Sequence, residues 1–375
     1  MQSCDTPFGS LELDRYPPTR NPTLQPWDAA DLYLLQSLAD SGLPSGSRVL
    51  VINDNFGSLA CALAQGGYQV SSWSDSLLAE RALWGNAEHN GLAAEGIRFI
   101  DSQRLPEGPV DQVLLRIPKS LALLEDQLSR LRPLLSTQAV VTAGAMLKHL
   151  PPSAGDLLAR YVGSYRASLA WKKARLLSAR MDDSLAPGTP QLASRYALGD
   201  TGCELLNLPG VFSRERLDLG TRVMLPSIPR VDGAVRIVDL GCGNGALGIQ
   251  AAQINPEAQL TFIDESHAAV ASARANFKQA CPQRDAQFVV GDGLLAAAAG
   301  SVDLVLCNPP FHQQQGIGDE IAMRLFQQAR QALAEGGELW VVGNRHLGYH
   351  VKLRKFFSQV EQVGGNSKFV VLRAH

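Results

Sequence analysis

V-R-I-V-D-L-G-C-G-N-G, running from Val235 to Gly245, is the stretch that decides the fold. A short β-branched run enters a turn with glycines at alternate positions, and Ala246–Asn255 behind it has helical apolar spacing. Strand, glycine turn and helix in that order put backbone N–H groups at a helix N-terminus, where a ligand can approach bare backbone. Outward from it, Gln259–Ser266 reads as a second strand ending in acid and His267–Ala280 as a helix. Ala286–Gly293, Val302–Pro310 and Gly337–Asn344 read as third, fourth and fifth strands. Strands alternating with helices predict a doubly wound parallel sheet.

The first half of the chain has the same rhythm. Val49 stands opposite Ile237 and Gly57 opposite Gly245 at one offset, while Asp75 opposite Asp264 and Arg116 opposite Asn308 follow at growing offsets, as loop insertions after a duplication produce. Met181–Tyr196, rich in Pro, Gly, Ser and Asp, suits a linker. The expected division is residues 1–181, a linker over 182–200, and residues 201–375. The copies differ where chemistry would sit. Asn53 and Asn55 stand where the second copy has Gly241 and Gly243, and R-I-P-K replaces N-P-P-F, so the first domain is expected to be degenerate.

Composition agrees with two domains: 375 residues, 45% hydrophobic and 19% charged, exceed one typical core. Six scattered cysteines without nearby histidines at ligand spacing indicate neither a zinc site nor a disulfide framework, so no metal is expected. The opening residues lack a basic leader followed by an apolar stretch, and a cytoplasmic location is expected. A net charge of −2 announces no nucleic-acid binder globally. Any such surface is local, and the densest basic runs hold Lys172, Lys173 and Arg175, and Arg345 and His346.

Asp264 ends the second strand, where a carboxylate can take a ribose hydroxyl pair, and Asp292 after the third strand could meet an adenine amino group. A dinucleotide dehydrogenase is the alternative for this set, but its G-x-G-x-x-G spacing is absent. Asn308-Pro309-Pro310-Phe311, at the carboxyl end of the fourth strand, favours another chemistry. The Asn308 side-chain carbonyl and the Pro309 carbonyl can accept both hydrogens of a planar amine, and Phe311 can stack on its ring. Holding the amine so aims its lone pair at an electrophilic carbon, an alignment worth at best about 7–11 kcal/mol.

These motifs together resemble the class I S-adenosylmethionine-dependent methyltransferases that act on amino groups. Over essentially the whole chain, Leu208–Leu225, N-P-P-F-H-Q-Q, Asn344–Leu347 and the K-F-V-V-L run resemble the bacterial ribosomal RNA guanine-N2 methyltransferases, with the large-subunit (23S) branch favoured. The resemblance implies tandem Rossmann-like domains, the second a seven-stranded sheet whose last strand is antiparallel. It implies S-adenosylmethionine as cofactor, held by Asp239, Gly241, Cys242, Gly243, Asn244, Gly245, Asp264, Glu265, Asp292 and Asn308, with Asp218 and Thr221 closing over it. It implies catalysis by Asn308, Pro309, Pro310 and Phe311, and an RNA-positioning first domain with contacts at Lys172, Lys173, Arg175, Arg345 and His346. Methylation of small-subunit RNA, of adenine N6 or of a protein glutamine stand as alternatives, as does a non-catalytic RNA-binding factor.

Overall fold

The structure, a computed structural model, describes residues 1–199, 201–310 and 315–375. It divides into two compact units, Met1–Leu192 and Ala193–His375.

In the first unit a hairpin, β1 (Gln2–Thr6) and β2 (Gly9–Leu13), precedes α1 (Ala29–Asp40). Then follow β3 (Arg48–Ile52), α2 (Ser58–Gln65), β4 (Gln69–Ser74), α3 (Leu77–His89), β5 (Ile97–Asp101), β6 (Val110–Arg116), α4 (Leu121–Leu131), β7 (Leu135–Met146), α5 (Ala154–Tyr161), β8 (Tyr165–Ala167) and β9 (Ala174–Arg180). The second unit runs through β10 (Ser194–Ala197), β11 (Glu204–Asn207), α6 (Leu219–Met224), β12 (Arg236–Leu240), α7 (Ala246–Ile254), β13 (Gln259–Asp264), α8 (His267–Ala280), β14 (Gln287–Val290) and β15 (Val302–Cys307). It ends with α9 (Gln315–Ala332), β16 (Leu333–Asn344), α10 (Tyr349–Leu353), β17 (Val360–Gly365) and β18 (Phe369–Ala374).

The two sheets have one plan. The first is ordered β5-β4-β3-β6-β7-β9-β8 and the second β14-β13-β12-β15-β16-β18-β17. In the second, β18 lies antiparallel between β16 and β17, giving the expected seven strands. The central strands are buried on both faces: Ile237, Leu304 and Leu306 pack to one side, Val238, Leu240 and Val305 to the other. Each such side chain contributes about 1.5–3 kcal/mol of burial, which is why these strands read as continuous apolar runs.

Even the opening hairpins correspond, and one asparagine on each unit's third-strand-side helix secures them. Asn276 of α8 accepts from Leu206 N (2.7 Å) and donates to Leu206 O (2.9 Å) and Asn244 O (2.9 Å). Asn86 of α3 accepts from Asp14 N (2.8 Å) and donates to Asp14 O (2.9 Å) and Phe56 O (2.8 Å). The expected linker is therefore corrected at its end: Ser194–Ala197 pairs with Glu204–Asn207 and folds with the second unit, whose start the contacts place at Ala193.

A second correction concerns register. Ile52 pairs with Trp73 as Leu240 pairs with Ile263, so Ser74, not Asp75, stands opposite Asp264. The helix caps agree, because Ser76 caps α3 and Ser266 caps α8 in the same way. Matching acid to acid is one residue out of this register, which in a strand turns a side chain to the other face. The first unit thus lacks the carboxylate too.

Candidate active site

The site gathers at the carboxyl ends of β12, β13 and β15, where open α/β sheets bind ligands. A cleft there is lined by Asp218, Thr221, Asp239, Gly241, Gly243 and Asn308, among others.

The three loop glycines do two jobs. All have left-handed backbone, with φ of +70°, +52° and +85° at Gly241, Gly243 and Gly245. A Cβ on Gly241 or Gly243 would meet nothing within 4 Å and so would project into open space, whereas one on Gly245 would stand 3.1 Å from Ala273 Cβ. Gly245 serves close packing of loop on helix; Gly241 and Gly243 leave bare backbone facing the cleft.

Asp264 braces this loop. Its Oδ2 accepts from Gly243 N at 2.9 Å and its Oδ1 from Ser266 N at 3.0 Å, which holds the half-buried carboxylate beside the loop. Glu265 follows it, also half-buried. Asp239 lies beneath, accepting from Gly248 N at 2.8 Å, and burial pushes its carboxyl up to about 8. The Cys242 thiol is held well above its ordinary pKa by burial and by Asp264 and Asp239, so it is no nucleophile.

Two expected cofactor contacts take other roles. The Asn244 side chain donates to Tyr196 Oη and to Asn207 Oδ1, both at 2.7 Å, and is spent tying the loop to the hairpin. Asp292 is ion-paired with Arg324 of α9 and its side chain is 1% exposed, so its carboxylate is not the open acceptor the sequence implied. Neither Tyr196 nor Arg324 carries a local sequence signal.

Asn308 is the centre of the arrangement. Its Nδ2 donates to Asp218 Oδ2 (2.9 Å) and Thr221 Oγ1 (3.0 Å), and the same Asp218 oxygen caps α6 by accepting from Thr221 N (2.9 Å). A carboxylate only accepts, so this contact fixes which end of the amide faces it. Asn308 Oδ1 is left buried without a hydrogen-bond partner among the described residues. Asp218 and Thr221 thus orient Asn308, a role beyond the cofactor closure implied above. Pro309 is buried and Pro310 exposed beside it; Phe311 lies outside the described residues.

The first unit fills the equivalent places. Asn53 keeps the left-handed backbone of Gly241 (φ +62°), but its amide donates to Arg116 O (3.0 Å) and Gln127 Oε1 (2.9 Å) and accepts from Gln127 Nε2 (2.7 Å). Arg116, opposite Asn308, pairs bidentately with Asp28, the α1 cap, at 2.9 Å, and also with Asp31. Asp28 and Asp31 stand where the second unit has Asp218 and Thr221. Gly57 is retained because a Cβ there would lie 2.6 Å from Leu83 Cα. The packing glycine survived and the ligand-facing ones did not.

The basic residues fall on strands and turns. Lys172 and Lys173, both exposed, form the two-residue turn closing on the Trp171–Ala174 bridge, with φ of +46° and +65°. Arg175 is half-buried in β9. Arg345 and His346 are exposed just past β16, with Arg345 Nε donating to Asn366 O at 2.8 Å. Among the described residues no helix is long and apolar enough to cross a membrane.

Comparison with known proteins matches both units. Residues 1–183 match the family described as RLMG N-terminal domain and residues 202–373 the methyltransferase small domain. The ribosomal RNA large subunit methyltransferase G of Stutzerimonas stutzeri is 54% identical over 374 residues, covering 100% of this chain and 99% of its own. That of Ectopseudomonas mendocina is 56% identical over 369 residues, 98% of each chain. Among solved structures, the T. thermophilus 16S rRNA N2 methyltransferase in complex with AdoMet and guanosine covers 100% of this chain and 97% of its own, with a TM-score of 0.78 at 21% identity, a likeness of fold. With more than half its residues shared with these curated proteins along its whole length, the chain belongs to the ribosomal RNA large subunit methyltransferase G family.

Proposed function

We propose that the protein transfers the methyl group of S-adenosylmethionine to the exocyclic N2 amine of a guanine in 23S ribosomal RNA, acting in the cytoplasm. The observation that carries the reading is Asn308: its nitrogen is locked by Asp218 and Thr221 while its oxygen, buried, has no partner among the described residues. An unmet buried acceptor costs about 1–3 kcal/mol, and an incoming N–H donor removes that cost. An aromatic amine is such a donor.

The residues fit the cofactor. The open space over Gly241 and Gly243 admits it against bare backbone, and the Asp264 carboxylate at the end of β13 stands where ribose hydroxyls would be taken. When bound, S-adenosylmethionine supplies a methyl group on a positively charged sulfur. The chain's part is to hold the nucleophile. Asn308 Oδ1 and the Pro309 carbonyl take the two amine hydrogens, which draws the nitrogen toward pyramidal geometry and frees its lone pair from the ring. With the cofactor held there, that lone pair would take the methyl, the C–S bond breaking as the N–C bond formed, and the alkylated, acidic nitrogen would lose one proton to water. The first unit, its own site filled, serves to position RNA, with Lys172 and Lys173 contacting phosphate and no base read by them.

The test is transfer of labelled methyl to deproteinised large-subunit RNA, assembled large subunits and total protein, with wild type beside Asn308→Ala. Label in RNA that digests to N2-methylguanosine is expected, with turnover of Asn308→Ala reduced far more than its cofactor affinity. Label confined to protein, or equal loss of turnover and cofactor affinity, overturns the reading.

A further inference from the structure

A second orphan stands beside the first. Among the described residues of the second unit, the buried side-chain oxygens without a hydrogen-bond partner are Asn308 Oδ1 and Asn344 Oδ1. Asn344 is 9% exposed and closes β16. Buried asparagines are not left unmet elsewhere in this unit. Asn255 and Asn276 are buried as deeply, and each both donates and accepts through its side chain. Two unmet oxygens at neighbouring strand ends are therefore a feature of this place.

Both lie on one face of the sheet. Cys307 of β15 pairs with Val341 of β16, so Asn308 and Val342 come next along the two strands, and Asn344 shares the face of Val342. That face is the one on which Trp340, Val342 and Phe369 pack with Leu217 and Met224 around α6, the helix whose cap holds Asn308. Phe369 links the two asparagines. It is the register partner of Asn344, and the point where a Cβ on Gly220 would stand is 3.5 Å from its ring and 3.4 Å from Asn308 Oδ1.

We propose that Asn344 is the residue that selects guanine, its Oδ1 accepting the base N1–H while Asn308 Oδ1 and the Pro309 carbonyl hold the N2 amine. This rests on the reading of the site as a guanine-N2 methyltransferase. Guanine carries N–H groups side by side at N1 and N2, whereas adenine presents a lone pair at N1 beside its amine. Two buried acceptors on one face complement the first and oppose the second, and a site built to receive a hydrogen bond rejects an analogue lacking the donor.

The probe is 2-aminopurine, which keeps the N2 amine but has a lone pair at N1. Once digestion has located the methylated nucleotide, RNA is rebuilt with guanine or 2-aminopurine there and methyl transfer is measured for wild type, Asn344→Leu and Asn344→Ala. Wild type is expected to prefer guanine by about 10- to 100-fold in kcat/KM, and both variants to lose about tenfold or more of that preference, with cofactor affinity unchanged. The absence of O6 from 2-aminopurine is common to all three proteins and cancels in the comparison. A preference retained in full by either folded variant overturns the assignment. Wild type that methylates neither RNA refutes instead the guanine-N2 reading beneath it.

Discussion

Replacing Arg116 by asparagine gives the first unit the side chain that the second unit carries at position 308. In the present structure Arg116 is 15% exposed and binds two carboxyl groups, Asp28 by a bidentate pair at 2.9 Å and Asp31 beside it, itself 9% exposed. An asparagine amide can still donate to Asp28, as Asn308 donates to Asp218, but Asp31 is left buried without its cation. Removing one partner of a buried ion pair costs about 3–5 kcal/mol. Adding Asp31→Thr removes the stranded charge and completes the Asp–Thr–Asn arrangement of the second unit. It also gives up the bond from Asp28 N to Asp31 at 2.8 Å that closes the α1 capping box, worth about 0.5–2 kcal/mol. The double variant is therefore expected to recover about 1–4 kcal/mol of what Arg116→Asn loses, a coupling that adjacent, interacting residues show and independent ones do not.

The assay is guanidinium unfolding followed by tryptophan fluorescence. Trp27, Trp73, Trp84 and Trp171 lie in the first unit and Trp340 in the second, so the signal reports mainly on the unit being changed. A double variant no more stable than Arg116→Asn refutes the claim that Arg116, Asp28 and Asp31 fill the retired site as one interacting group.

The second unit carries a pH signature at Asp239. Its folded pKa of about 8 is raised above the unfolded value near 4, so its contribution to stability is fully present below about pH 4 and is lost as pH rises through 8. Hydrogen exchange in β12 and β13 should show stability falling across that window in wild type and falling less in Asp239→Asn, by a difference on the order of 5 kcal/mol; parallel curves contradict the buried acid. Reversing charge at Lys172 and Lys173 should raise KM for RNA and flatten its salt dependence while cofactor affinity holds, and unchanged RNA kinetics return that turn to an ordinary solvated one.

What could be read from sequence was what repeats locally. The glycine turn, the β-branched strands and N-P-P-F all lie within a few residues of the backbone they shape, and the structure places the turn and Asn308-Pro309-Pro310 at the carboxyl ends of the neighbouring central strands β12 and β15. The hairpins escaped because β10 and β11 are four residues each, and β17 because it is an edge strand with little buried surface. Contacts made across long separations were equally hidden: Asp292 looks open until Arg324, 32 residues on, is brought to it, and Asn308 looks mobile until Asp218, 90 residues before it, holds its nitrogen.

The same limit explains how the first unit could lose its chemistry and keep its fold. Sequence shows glycines lost at Asn53 and Asn55, which reads as decay. The structure shows replacement: Asn53 occupies the left-handed position and bonds Gln127 in both directions, and Arg116 answers two acids where the second unit's amide faces one acid and a hydroxyl. A binding site needs polar groups left unmet until the ligand arrives, at a standing cost in stability. In the first unit the Asn53 amide and the two terminal nitrogens of Arg116 are met internally, with the Arg116 Nε donor left unmet, whereas the second unit leaves an acceptor unmet at Asn308 Oδ1. Which copy is retired is therefore decided by whose site acceptor is already met: Asn53 Oδ1 by Gln127, Asn308 Oδ1 by no described residue.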